Sequence, residues 1–164
     1  MLDPKLYTLL EVYECKSFVG AARRLSITQP AVSHHIKALE EELNVCIFER
    51  NSGKIVVTRE GEEVVKCAKK MRGLYNNLRQ DLTDSRKLTS HLTVGVTHTA
   101  ESNPIAEALA NYASQNDNVM IKMITGTINK LYTKLKTYEI DLAIVEGRIA
   151  DPRGRYLLMD TGYL

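Results

Sequence analysis

The sequence predicts a multi-domain α+β protein: short helices meeting at a tight turn with a hairpin behind them, a long single helix, and the opening of an α/β sheet. Three observations carry this. Between Ser17 and Arg50, two apolar-periodic helical segments meet at a short break, Ser26-Ile27. From Val64 to Leu82 one narrow apolar stripe repeats at heptad spacing. After Thr89, β-prone runs alternate with helical ones.

Each element has a local cause. Asp3-Pro4 reads as an N-cap and a first-turn proline, and Leu6, Leu9, Leu10 and Tyr13 give the helix that follows an apolar face. Ser17 caps a second helix carrying Phe18, Ala21, Ala22 and Leu25, where Gly20, Ala21 and Ala22 allow close approach. Thr28 caps a third. Pro30 falls in its first turn, where a missing N–H costs nothing, and Ala31, Val32, Ile36, Leu39 and Leu43 form its apolar stripe. Asn44 ends it, the usual second choice to Gly for a left-handed cap. Val45–Phe48 and Ile55–Val57 are β-prone, with Asn51-Ser52-Gly53 as the turn between them. A helix-turn-helix followed by a hairpin is a winged helix.

Thr58 then caps a helix predicted over residues 59–87, about 45 Å long at 1.5 Å per residue. Glu60, Glu62 and Glu63 sit near its N-terminus, as the helix dipole favours. Val64, Ala68, Met71, Tyr75, Leu78 and Leu82 form the seam. Such a stripe needs a partner, either a second helix or the chain's own domain. Strands are predicted at His91–Thr97, Val119–Thr125 and Asp141–Val145, and helices at Pro104–Gln115 and Ile128–Tyr138. That is β-α-β-α-β, the beginning of an open, mostly parallel sheet. The expected division is 1–58, 59–88 and 89–164.

Composition bounds the function. The chain has 164 residues, 44% of them hydrophobic, enough for one domain and part of another. No apolar run is long enough to span a bilayer, no signal-peptide pattern is present, and no membrane partner is expected. Cys15, Cys46 and Cys67 are odd in number and lack metal-ligand spacing, which suits a reducing cytoplasm. The formal net charge is only +2. Basic and acidic residues balance within 1–58, so bulk charge does not argue for nucleic acid. Their distribution does: from Cys15 to Leu39 there is no acid, whereas Lys16, Arg23, Arg24 and Lys37 are present, and the acids gather at Glu40–Glu42. No metal site, cofactor site or catalytic constellation is expected. His34, His35, His91 and His98 lack partners at ligand spacing, and there is no Gly-rich phosphate loop, Gly-x-Ser-x-Gly or Cys-x-x-Cys.

The N-terminal part resembles the LysR-type transcriptional regulators. The matching residues are Ser17-Phe18, Ala21-Ala22, Leu25, Thr28-Gln29-Pro30-Ala31-Val32-Ser33, Ile36, Leu39-Glu40, Leu43, Phe48-Glu49-Arg50, and Thr58 with Gly61. Many matches in register are far more specific than any short motif. Asn44 and Lys16 stand where the family favours Gly, and both are conformationally tolerable. After residue 90 the resemblance continues less sharply, to the first subdomain of an effector domain built like a periplasmic binding protein, with Asp141-Leu142-Ala143-Ile144 matching the family's phrase. The resemblance implies a linker helix that pairs with its twin, and a homodimer or tetramer on inverted-repeat DNA. It also implies a small-molecule effector, with RNA polymerase as a further partner. In the family the polypeptide goes on to a second subdomain, so a fragment or truncated product is expected here.

The candidate DNA contacts are Thr28, Gln29, Pro30, Ser33, His34 and Lys37 on the third helix, with Arg50 and Lys54 beside the wing turn. Gln can grip adenine through two hydrogen bonds, Ser or neutral His can reach base edges, and Pro30 can press on a thymine methyl. Thr28 is first an N-cap, and its neighbouring N–H groups can hold a phosphate. The bland alternative is a solvated helix face, and Arg23 and Arg24 are weaker candidates for that reason. His35 faces either a neighbouring helix or the DNA backbone. In open α/β sheets ligands sit beyond the carboxyl ends of strands. That singles out Thr97, His98, Thr99, Ala100, Gly126 and Thr127 as effector contacts, although polar loops often only cap helices. Two other functions stand as alternatives. A winged-helix regulator of another family, such as the molybdate-responsive ones, would be followed by small β-barrels. A small α/β enzyme would leave the N-terminal 58 residues unexplained.

Overall fold

The computed structural model describes residues 2–51, 54–98 and 104–146. The element order is α1 (Pro4–Cys15), α2 (Phe18–Leu25), α3 (Gln29–Leu43), β1 (Phe48–Asn51), β2 (Lys54–Val57), α4 (Arg59–Lys87), β3 (Ser90–Thr97), α5 (Pro104–Gln115), β4 (Val119–Gly126), α6 (Ile128–Lys136) and β5 (Leu142–Ile144).

The first four helices start where short polar side chains satisfy their free N–H groups. Asp3 accepts from the Lys5 amide at 2.8 Å, Ser17 from Gly20 at 3.0 Å, Thr28 from Ala31 at 3.3 Å and Thr58 from Gly61 at 2.9 Å. α1 and α3 end in left-handed caps at Lys16 (φ 49°) and Asn44 (φ 52°). Gly is the usual residue at a left-handed cap, and here Lys16 and Asn44 take that backbone in its place.

α1–α4 enclose one core. Leu9, Leu10, Val12, Ala21, Ala22, Val32, Ile36, Leu39 and Ile47 are buried in it, together with Val65 and Ala68 from the first turns of α4. Each large aliphatic side chain buried there contributes roughly 1.5–3 kcal/mol. The hairpin pairs antiparallel from Phe48↔Val57 to Asn51↔Lys54. Its first strand lies later than the expected Val45–Phe48. Ile47 is fully buried in the core, and the Ile47 and Phe48 amides are held by the Glu40 carboxylate. The apolar run therefore anchors the hairpin, and the polar residues after it form the ladder.

The second unit is a three-stranded sheet of order β4-β3-β5. β3 pairs in parallel with both neighbours, from Ser90↔Val119 to Thr97↔Gly126 on one side and from Val94↔Leu142 to Val96↔Ile144 on the other. Val94 and Val96 are buried at its centre, packed by Leu92, Leu109, Ile121, Met123 and Ile144. Asp141 locks the third strand's entry: its amide donates to the Thr93 carbonyl at 2.9 Å, and its carboxylate accepts from the Thr93 amide at 2.7 Å. α6 stops at Lys136, short of the expected Tyr138. Thr137 turns its hydroxyl back onto the Thr133 carbonyl, and Tyr138 takes a left-handed backbone.

Candidate nucleic-acid interface

α3 is presented by the angle its cap imposes. Thr28 is extended and closes the N-terminus, so the chain turns sharply from Ser26, itself left-handed at φ 55°, into the helix. Residues three and four apart share a helix face. Gln29, Pro30, His34 and Lys37 are exposed along α3 and Ser33 is half-buried beside them. The Gln29 amide donates to the Ser33 hydroxyl at 2.8 Å, which orders two of the candidate base-reading groups against one another. Thr28 is exposed as well as capping. Lys54 is exposed at the start of β2, and the Arg50 side chain lies outside the described residues.

Of the acids after Leu39, Glu40 and Glu42 are engaged away from that face, and Glu41 pairs with Lys37 on it. Glu40 turns to the wing backbone. Glu41 lies 3.6 Å from Lys37, with both side chains largely exposed. Glu42 meets Lys5 at 2.6 Å. An exposed pair such as Lys37–Glu41 is worth about 0–1 kcal/mol and yields readily to a competing phosphate. His35 points the other way: its Nδ1 lies 2.8 Å from the Thr8 hydroxyl of α1. Arg24 is turned toward α1, 3.3 Å from Glu11 and 3.8 Å from Glu14. The Glu11 hydrogen bond is the main cause of its raised pKa.

The seam on α4 divides. Ala68 is buried in the chain's own core and Val64 packs against it. Met71, Leu78 and Leu82 are 45–55% exposed, and Leu74, which sequence reasoning left out, is 51% exposed beside them. Leu74 falls three residues after Met71 and four before Leu78, so helical spacing carried the signal. Tyr75 instead helps line a cavity of about 660 Å³ with Leu2, Tyr7, Leu25, Ile27 and Arg79.

At the sheet, parallel pairing brings the carboxyl ends of β3 and β4 together, with Thr97 opposite Gly126. Thr97 is buried and His98 exposed. Gly126 is buried near Leu131. Thr127 stands at the N-terminus of α6 with no side-chain capping bond. Thr99 and Ala100 lie outside the described residues. No group of His, Cys, Asp and Glu able to hold a metal ion occurs among the described residues, and no described helix is long and apolar enough to cross a membrane.

Two family models match in succession. One, described as bacterial regulatory helix-turn-helix protein, lysR family, covers residues 4–62; the other, the LysR substrate binding domain, covers residues 85–161. The chain belongs to the LysR family. Relatives include the HTH-type transcriptional regulator CzcR of Bacillus subtilis, 28% identical over 142 residues, covering 84% of this chain and 49% of CzcR. A probable RuBisCO transcriptional regulator of Emiliania huxleyi is 30% identical over 134 residues, covering 81% and 43%. The chain thus spans about half the length of the curated relatives it matches. Among solved structures, a variant of full-length OxyR from Pseudomonas aeruginosa superposes with a TM-score of 0.56 at 25% identity, covering 90% of this chain and 49% of that one. CbnR in complex with its target DNA gives a TM-score of 0.68 at 20% identity, covering 83% and 46%, which speaks for the fold. The LysR pattern accounts for both units: a winged helix with its long helix, and a sheet-containing segment of the substrate-binding domain.

Proposed function

We propose that this LysR chain is the DNA-reading part and the beginning of the effector-binding part of a sequence-specific transcriptional regulator. The observation that carries this is α3: its cap, its exposed Gln29, Pro30, His34 and Lys37, and the acid-free stretch from Cys15 to Leu39 form a face suited to a major groove. Relatives named as transcriptional regulators support the same reading. In this proposal residues 1–58 bind DNA, 59–88 link and dimerise, and 89–164 begin the effector domain. Two copies read an inverted repeat as a dimer or within a tetramer in the cytoplasm. A small molecule at the 97–100 and 126–127 loops changes how the copies are set on the operator, and RNA polymerase responds. The protein acts by binding and carries no catalytic role or cofactor.

Selection of duplexes from a random pool, followed by fluorescence anisotropy on the selected and scrambled sequences, tests it. Specific sites are generally bound at least about a thousandfold more tightly than non-specific ones. Equal affinity for the two duplexes would overturn the proposal.

A further inference from the structure

The segment joining α3 to the hairpin is held from two sides. On the α3 side, Glu40 Oε1 accepts from the Ile47 amide at 2.7 Å and from the Phe48 amide at 3.2 Å. On the α4 side, Thr58 holds the carbonyls of the same segment. Its hydroxyl donates to the Cys46 carbonyl at 2.6 Å, and its amide donates to the Ile47 carbonyl at 3.0 Å. Gly61 comes so close to the Ile47 carbonyl that a Cβ there has no room. The Ile47 side chain is buried between these two grips, and the Phe48 ring meets Phe18 edge-on at 6.1 Å between centroids. Backbone N–H groups donating to a carboxylate make strong, directional bonds. They fall where β1 begins, so the carboxylate fixes the wing's base to α3, whereas the bonds from Thr58 fix it to α4.

We propose that Glu40 is a positioning residue for DNA binding: through the Ile47 and Phe48 amides it sets the wing's place relative to α3, so that both engage one duplex together. Glu40 does not contact DNA in this scheme. The proposal rests on the DNA-binding reading above. Glu40 belongs to the helix whose face reads bases, and the hairpin it holds carries Lys54. Without the clasp the wing follows α4 instead, and the two contact surfaces lose their common frame.

The test uses the whole chain and the duplex it selects from a random pool. Parent, Glu40→Ala, Glu40→Gln and Glu40→Asp are each measured with Lys54 present and with Lys54→Ala. Helical circular dichroism and melting report folding. Glu40→Ala is expected to weaken selective binding about tenfold and to flatten the salt dependence, as when a phosphate contact is lost. Lys54→Ala should weaken the parent severalfold but change the Glu40→Ala protein little. Glu40→Gln retains an acceptor oxygen and should recover most of the binding. Glu40→Asp is one methylene short, so it should behave like Glu40→Ala and serves in its place if the alanine variant does not fold. The proposal is overturned if the folded Glu40 variants bind like the parent, if Lys54→Ala costs the same in every background, or if it costs nothing in the parent. A parent without sequence preference would instead remove the DNA-binding reading itself, and the proposal with it.

Discussion

Nδ1 of His91 stands 2.6 Å from Oδ1 of Asp84, across the junction where α4 gives way to β3. The Gln80 amide donates to the same carboxylate oxygen at 2.7 Å, and the His91 amide donates to Oδ2 at 3.2 Å. Between them Leu88 adopts a left-handed backbone, and the Thr89 amide returns to the Asp84 carbonyl. One buried residue thus ties the last turns of the long helix to the first strand of the sheet.

That carboxylate makes the junction acid-sensitive. Burial pushes the Asp84 carboxyl up, but the hydrogen bonds from Gln80 and His91, with the His91 charge, outweigh it and hold the group below its ordinary value. A carboxyl lowered on folding gives stability that is fully present above its unfolded pKa, about 3.9, and is lost as pH falls through the folded value. Acid unfolding followed through the α4–β3 junction should therefore begin at higher pH in Asp84→Ala, because that source of stability is missing from the outset. The parent should lose protection of the Thr89 and His91 amides only as Asp84 protonates. Superimposable acid profiles for the two proteins would refute this.

Gly73 predicts the opposite of what helix propensity alone implies. Ala is better than Gly inside a helix by about 1 kcal/mol. At Gly73, however, an added Cβ would run into the Thr137 carbonyl, which is backbone and cannot rotate away. Overpacking of this kind costs about 1–3 kcal/mol. Gly73→Ala should lower the melting temperature and loosen α6 against α4. Gly20→Ala, whose nearest neighbours would be side-chain atoms at 3.3 Å, should cost less or stabilise. A melting temperature for Gly73→Ala at or above the parent's would show that the sheet unit shifts freely along α4.

These two sites mark the limit of what the chain discloses as sequence. Helix starts at Asp3, Ser17, Thr28 and Thr58 were legible because a cap acts on residues two or three positions away. The parallel strands were legible because β-prone runs alternate with helical ones. The start of the wing was not, since its position depends on Glu40, seven residues before Ile47. His35 was ambiguous until Thr8 lay beside it. Gly73 offers only a glycine in mid-helix, because its neighbour Thr137 is distant in sequence. The α4 seam was half legible: heptad spacing finds the stripe but cannot distinguish Ala68, buried in its own core, from Leu78, left exposed.

The proposed DNA face should separate into two kinds of residue. Lys37→Ala should weaken binding to all duplexes and reduce the salt slope by about one unit, as for one lost phosphate contact. Arg50→Ala is expected to do the same from the wing. Gln29→Ala should leave the slope nearly unchanged and relax preference at particular bases, because its amide, ordered on Ser33, is suited to base edges. Anisotropy titrations across a salt series, with parallel selection on each variant, measure both effects. The assignment fails if the three variants titrate and select like the parent.

The exposed part of α4 leads to the last prediction. Met71, Leu74, Leu78 and Leu82 form one apolar strip that the chain's own core leaves open. Helices with such strips bury them against another helix. A carboxylate placed in that seam would be desolvated without a partner, at a cost of several kcal/mol per buried charge. Met71→Asp combined with Leu78→Asp should therefore leave the fold intact but shift sedimentation from the proposed dimer to monomer, with weaker binding to a two-half-site duplex. Ala68→Asp is the contrasting variant: Ala68 lies in the core with Leu9 and Ile36, so a charge there should unfold the N-terminal unit. Dimers that persist in the folded double variant would place the contact between copies on another surface.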